Sequence, residues 1–186
     1  PISMQWRLLP PLVCHALGLR GRAALAVPWL GVLVLLATCT ALLRREGLSR
    51  LQTALALALA GTTSAVTVPL GWLGMNDAWV WAGLVGVAFG RSLWSLVPAC
   101  LLLPWVDERF VIGLPLALLV RAAVESGLET LPFRRLVATL AWGAAWLLPY
   151  AVLRLGLRDG SLSDASGVFL RDTLTGCLSW LPFAPL

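Results

Sequence analysis

Arg91 joins two apolar runs, AWVWAGLVGVAFG and SLWSLVPACLLLPWV, and is the only charge between residues 78 and 106. A guanidinium there falls near the middle of a bilayer, at a cost of about 2.5–3.5 kcal/mol, so it is expected to face protein, water or an acidic partner. Its planar fork of donors suits carboxylate and phosphate oxygens. Arg91 is therefore the sharpest candidate for gripping an anionic solute or a lipid phosphate, with Arg109 and Arg121 as further substrate- or lipid-binding cations. The plainer alternative for Arg91 is a structural ion pair, or a break at Gly90 that lets the side chain snorkel.

The acidic groups are fewer. Asp77 lies in a short turn among Trp72, Trp79 and Trp81. At the level of that single residue it resembles the acidic group that membrane glycosyltransferases hold in an extracytoplasmic loop, which implies a base toward an acceptor hydroxyl. Ordinary Asn-Asp turn chemistry is the plainer reading, which leaves Asp77 a weak catalytic candidate. The run Asp107-Glu108-Arg109 reads as a solvated, orienting turn, and Glu125 and Glu129 share a helix face. Arg121 compensates Glu125 at the i, i+4 spacing. Cys14, Cys39, Cys100 and Cys177 are far apart and read as small apolar side chains, and His15 is the sole histidine. No metal set and no cofactor are expected. Nor does the chain contain a phosphate loop, a zinc-protease motif, a nucleophile elbow or a dinucleotide fingerprint, which counts against a self-contained enzyme.

The elements that must hold these groups are membrane helices. Of 186 residues, 59% are hydrophobic and only 12% charged, about half the charged share of a soluble domain. All basic side chains are Arg. The net charge of +5 is scattered, with no basic stripe interleaved with aromatics, so anionic headgroups rather than nucleic acid are the expected partners.

Residues 23–42 and 51–74 have spanning length. In the second, Gly61 and Ala65 lie four apart, like Thr63 and Thr67, a spacing that suits close helix packing. The turn at 43–50 holds Arg44, Arg45 and Arg50 and is expected on the cytoplasmic side, with Asp77 outside. Residues 78–106 read as one long helix, with Trp81 and Trp105 at opposite faces and Gly83, Gly86 and Gly90 along a packing face. Residues 110–121, interrupted by Gly113 and Pro115, are expected to dip in and return, so that Arg109, Arg121, Arg134 and Arg135 share the cytoplasmic side. Residues 136–153 span again, 154–166 are a loop, and 168–186 form a last helix. Residues 7–22, with adjacent Pro10 and Pro11, read as interfacial or re-entrant. The start at Pro1 and the stop in an apolar run suggest a piece of a longer chain.

The expected fold is an all-α integral membrane protein of about five transmembrane helices plus one re-entrant or interfacial segment, in a single polytopic domain over residues 1–186. The leading functional expectation is a non-enzymatic subunit of a membrane assembly, in the inner membrane of a GC-rich bacterium, packing through small-residue faces against partner subunits and lipids. Two alternatives stand beside it: a carrier or channel for an anionic solute using Arg91, and a membrane transferase acting on a lipid-linked phosphate with Asp77 and Arg91 in its site.

Overall fold

The structure, a computed structural model, describes residues 7–71, 75–90, 92, 94, 96–126 and 133–156. Among them are α1 (Leu9–Ala16), α2 (Ala26–Arg45), α3 (Arg50–Gly61), α4 (Ser64–Gly71), α5 (Asp77–Phe89), α6 (Leu96–Leu102), α7 (Arg109–Ser126) and α8 (Phe133–Gly156). Short 3-10 helices run Gly21–Leu25 and Leu103–Trp105, and the described residues contain no strand. The chain divides into two units, Pro1–Tyr150 and Ala151–Leu186. In the second, only residues 151–156 are described, and they belong to α8. The expected last helix at 168–186 lies outside the described residues, as does the expected 154–166 loop from residue 157 onward, whereas residues 154–156 continue α8 because the helix runs on to Gly156.

Two helices are long and apolar enough to cross a membrane, Gly21–Arg45 and Phe133–Arg154; the bent pair α3–α4 makes a third if it counts as one span. The expected five are not confirmed among the described residues. With 13 residues, α5 rises only about 20 Å, against a hydrocarbon core of about 30 Å. The 18 residues of α7 suffice in length but include Arg109, Arg121 and Glu125.

Local sequence explains most helix ends. At the end of α2, Gly47 adopts φ +83°. The Gly47 N–H then donates to the Arg44 carbonyl and the Leu48 N–H to that of Leu43, a Schellman closure that a Cβ at position 47 would strain. Ser49 opens α3 as a capping box with Gln52: the Gln52 N–H donates to the Ser49 hydroxyl, and the Ser49 N–H to the Gln52 side chain. Pro10 and Pro11 lie in the first turn of α1, where a missing N–H costs nothing.

The single helix expected over 51–74 is instead broken, with α3 and α4 bent by 56°. The Thr62 hydroxyl donates to the Leu59 carbonyl and that of Thr63 to Ala60, both at 2.7 Å, and Thr67 donates to Thr63 at 3.0 Å. Carbonyls freed by the break are thus satisfied locally, as a break in apolar surroundings requires.

The long helix expected over 78–106 is also two pieces. At Gly90 the backbone turns extended (φ −66°, ψ 141°) and ends α5; α6 begins at Leu96 with Pro98 in its first turn, where proline is tolerated. The chain then returns along α5. A Cβ on Gly83 would lie 1.8 Å from Leu103 Cδ1, so Leu103 fills the space that glycine leaves. Trp105 therefore comes back to the end of α5 from which the chain set out, rather than marking the opposite face.

From there α7 runs parallel to α5. Asp77 pairs with Arg109, Leu84 lies over Gly113, and Arg121 reaches the Val87 carbonyl. The expected dip and return over 110–121 does not occur: Gly113 and Pro115 sit inside one continuous helix. Packing decides this, because Phe110, Leu114, Ala117 and Leu118 bury one face of α7 in the main core with Val87, Leu96 and Cys100. α2 also parallels α5, through Trp79 on Val27 and Arg45 on Phe89. A second cluster of Val32, Leu35, Val66, Ala78 and Ala82 joins α2, α4 and α5. Helix α8 returns against α7: Arg135 meets Glu125, Gly143 lies under Leu118, and Trp105 meets the Tyr150 ring edge-on at 4.8 Å. The first unit thus has two polar ends, one at Asp77 and one at Arg45.

Candidate functional site

At the Asp77 end, the first residue of α5 and the first residue of α7 face each other. Arg109 is the hub. Its Nη1 donates to Asp77 Oδ2 at 3.2 Å and its Nη2 to Asp77 Oδ1; Nε and Nη2 also reach Asp107 at 3.1 and 2.8 Å. The Arg109 backbone N–H, an orphan of the first turn of α7, donates to Asp107 Oδ1 at 2.9 Å. From just before α1, Arg7 adds a 3.0 Å contact to Asp107 Oδ2. Two guanidiniums and two carboxylates thus clamp three segments together.

Asp107 is no solvated turn residue, since its side chain is 1% exposed. Burial alone would push its carboxyl up, but hydrogen bonds from Arg109 and the charges of Arg109 and Arg7 outweigh that and hold it below the usual carboxylate range. Asp107 is therefore an anion at neutral pH, and its lowered proton affinity makes it a weak general base. Asp77, the weak catalytic candidate, has both oxygens on Arg109.

At the other end, α5 stops with two of its last carbonyls capped by arginines, one buried and one exposed. Arg121 Nη1 donates to the Val87 carbonyl at 3.0 Å, and Arg45 Nη1 to that of Phe89 at 3.0 Å. Two guanidiniums at a helix C-terminus satisfy orphan carbonyls and oppose the negative end of the dipole. Arg121 is 1% exposed and also meets Glu125 at 2.9 Å, which in turn meets Arg135 at 3.4 Å. Arg121, expected as a substrate- or lipid-binding cation, is thus placed inside the helix packing with its guanidinium on Val87 and Glu125.

A groove of about 220 Å³ lies between α5 and α7, lined by Asp77, Val80, Trp81, Leu84, Arg109, Ile112 and Gly113. Its charged residues sit at the helix starts and the remaining lining is apolar.

Of the glycines expected to pack helices, Gly83 does so against Leu103, whereas a Cβ at Gly61 or Gly86 would meet nothing within 4 Å. Ala65 packs against the second cluster, and Gly90 ends α5. Arg91 and Glu129 lie outside the described residues. Sequence reasoning missed Arg7, Asp107 and Arg45 as ion-pair or capping residues, and Gly31, Gly113 and Gly143 as close-packing ones. Gly31 lies under the Trp79 ring, 2.7 Å from its virtual Cβ. For Asp107 a signal existed: an aspartate two residues ahead of an arginine at a helix start. No group of three metal-ligating side chains occurs among the described residues. The chain matches no protein-family model, no curated protein and no solved structure.

Proposed function

We propose that this chain is a non-enzymatic integral membrane subunit. Among the described residues it crosses the bilayer with α2, α3–α4, α7 and α8, while α5–α6 forms a re-entrant hairpin entering from the Asp77 end. The observation that carries this reading is that, among the described residues, the charged and hydroxyl groups at both ends of α5 and at the α3–α4 break are consumed inside the chain. Arg109 spends four of its five N–H donors on Asp77 and Asp107, Arg121 and Arg45 cap α5, and the threonines of α3–α4 bond their own backbone. Polar groups so occupied hold helices and leave little to coordinate a travelling solute or a reacting phosphate. Outward faces are apolar, with Leu51, Leu55 and Leu59 exposed along α3 and Ile112 and Leu116 along α7, as lipid or partner helices require.

Arg44, Arg45, Arg50, Arg134 and Arg135 border the connections at the Arg45 end, and this basic bias supports the reading of that end as cytoplasmic, in a bacterial inner membrane. Arg20 and Arg22 then lie outside, before α2. The test is extraction. The protein resists alkaline carbonate and migrates in mild detergent with partners at fixed stoichiometry; a monodisperse monomer in native gels overturns the subunit reading.

A further inference from the structure

The geometry points to the α5–α7 groove as a seat for one membrane phospholipid bearing a primary-amine zwitterionic headgroup. The inference rests on the membrane placement proposed above and names the lipid. Two observations carry it. The first is shape: Trp81 and the 66%-exposed Ile112 form the rims, and Val80, Leu84 and side-chain-free Gly113 form the floor. From Asp77 to Leu84 this apolar trough descends about 10 Å along α5. At about 220 Å³ it is smaller than the roughly 300–1,000 Å³ of a drug-sized pocket, and it suits the upper part of one acyl chain.

The second observation is charge. The trough ends at Asp77 and Arg109, where a headgroup would lie. Arg109 is half exposed, and after its bonds to Asp77 and Asp107 it keeps one N–H on Nη1, enough for a single phosphate oxygen. Each Asp77 oxygen, engaged by one Arg109 donor, retains acceptor capacity for an ammonium. Arg7 and Arg109 are offset by Asp77 and Asp107, and Glu108 beside them adds a further negative charge, so the mouth has no surplus positive charge to attract an anionic headgroup. An ammonium over Asp77 would also lie beside the Trp81 ring.

Native mass spectrometry of the full chain, stripped of lipid in detergent, tests this with phosphatidylethanolamine, phosphatidylcholine and phosphatidylglycerol of identical acyl chains. Phosphatidylethanolamine is expected to be retained about tenfold better than the other two, the worth of one charge-assisted hydrogen bond. Ile112→Trp fills the trough from an exposed position and removes that retention, with helicity and melting temperature unchanged. Asp77→Asn keeps chain binding and abolishes the headgroup preference. Equal or stronger retention of phosphatidylglycerol or phosphatidylcholine overturns the proposal, as does an Ile112→Trp variant that holds phosphatidylethanolamine like the parent. Lipid retention is read on the isolated chain, so its failure is distinct from a failure to assemble with partners.

Discussion

Asp107 is the residue on which the Asp77 end depends, because among the described residues a carboxylate with 1% of its side chain exposed is balanced by Arg109 and Arg7. Replacing Arg109 with alanine leaves that charge under-compensated and frees Asp77 as well. Breaking a buried pair costs about 3–5 kcal/mol, and the half exposure of Arg109 puts the expected loss near the lower figure. Chemical unfolding of the detergent-solubilised protein measures it, and an unchanged midpoint contradicts the clamp. The pH dependence has a definite sign. The Asp107 carboxyl is held below its ordinary 3.8, so its stabilisation is complete above that value and is lost as the pH falls through the lowered one. Thermal stability at this site is therefore flat from pH 7 to about 4 and declines below it; Asp107→Asn is destabilised throughout and lacks that acid limb.

At the scale of helices, two glycines in similar sequence surroundings have opposite roles. Gly31 lies beneath the Trp79 indole, which cannot swing aside without losing its 2.9 Å donation to the Val27 carbonyl. Gly31→Ala therefore forces α2 and α5 apart and costs about 1–3 kcal/mol, as overpacking does. Gly86 faces no atom within 4 Å, so Gly86→Ala stabilises α5 by about 0.5–1 kcal/mol through helix propensity. Melting curves of the two variants should move in opposite directions. Should Gly86→Ala weaken co-migration with partners while stabilising the isolated chain, that face of α5 is an assembly surface. The break after Gly90 depends on Arg45 and Arg121 as caps. Arg121→Met leaves Val87 and Glu125 without their buried partner and is expected to open the α5–α7 contact, read as faster hydrogen exchange at the end of α5.

For the molecule as a whole, the parallel run of α2, α5 and α7 sets the topology. Arg121 lies about 18 Å along α7 from Arg109, so the α5–α6 hairpin turns roughly that deep and returns to the end it left. In a background without cysteine, Glu46→Cys and Arg134→Cys are expected to react with an impermeant maleimide from one side of the membrane, and Arg22→Cys from the other. Labelling of Arg134→Cys and Arg22→Cys from the same side contradicts the arrangement.

Hydropathy, the scarcity of charge and the capping residues determined by themselves that the chain is helical and apolar enough to place segments in a membrane. They also indicated a turn within 43–50, where α2 ends and α3 begins, because such signals act within a few residues. They did not decide which helices pair. Residues 78–106 satisfy the length of one span as well as they satisfy a hairpin, and only the fit of Leu103 into Gly83 and of Arg109 onto Asp77 chooses between them. Pro115 argues locally for a break, yet burial of Phe110, Leu114 and Leu118 against α5 and α8 keeps α7 whole. The functional residues follow the same division. Sequence singled out Asp77 and Arg109 separately and assigned them to opposite faces, and their contact across 32 positions arises only once three helices run parallel.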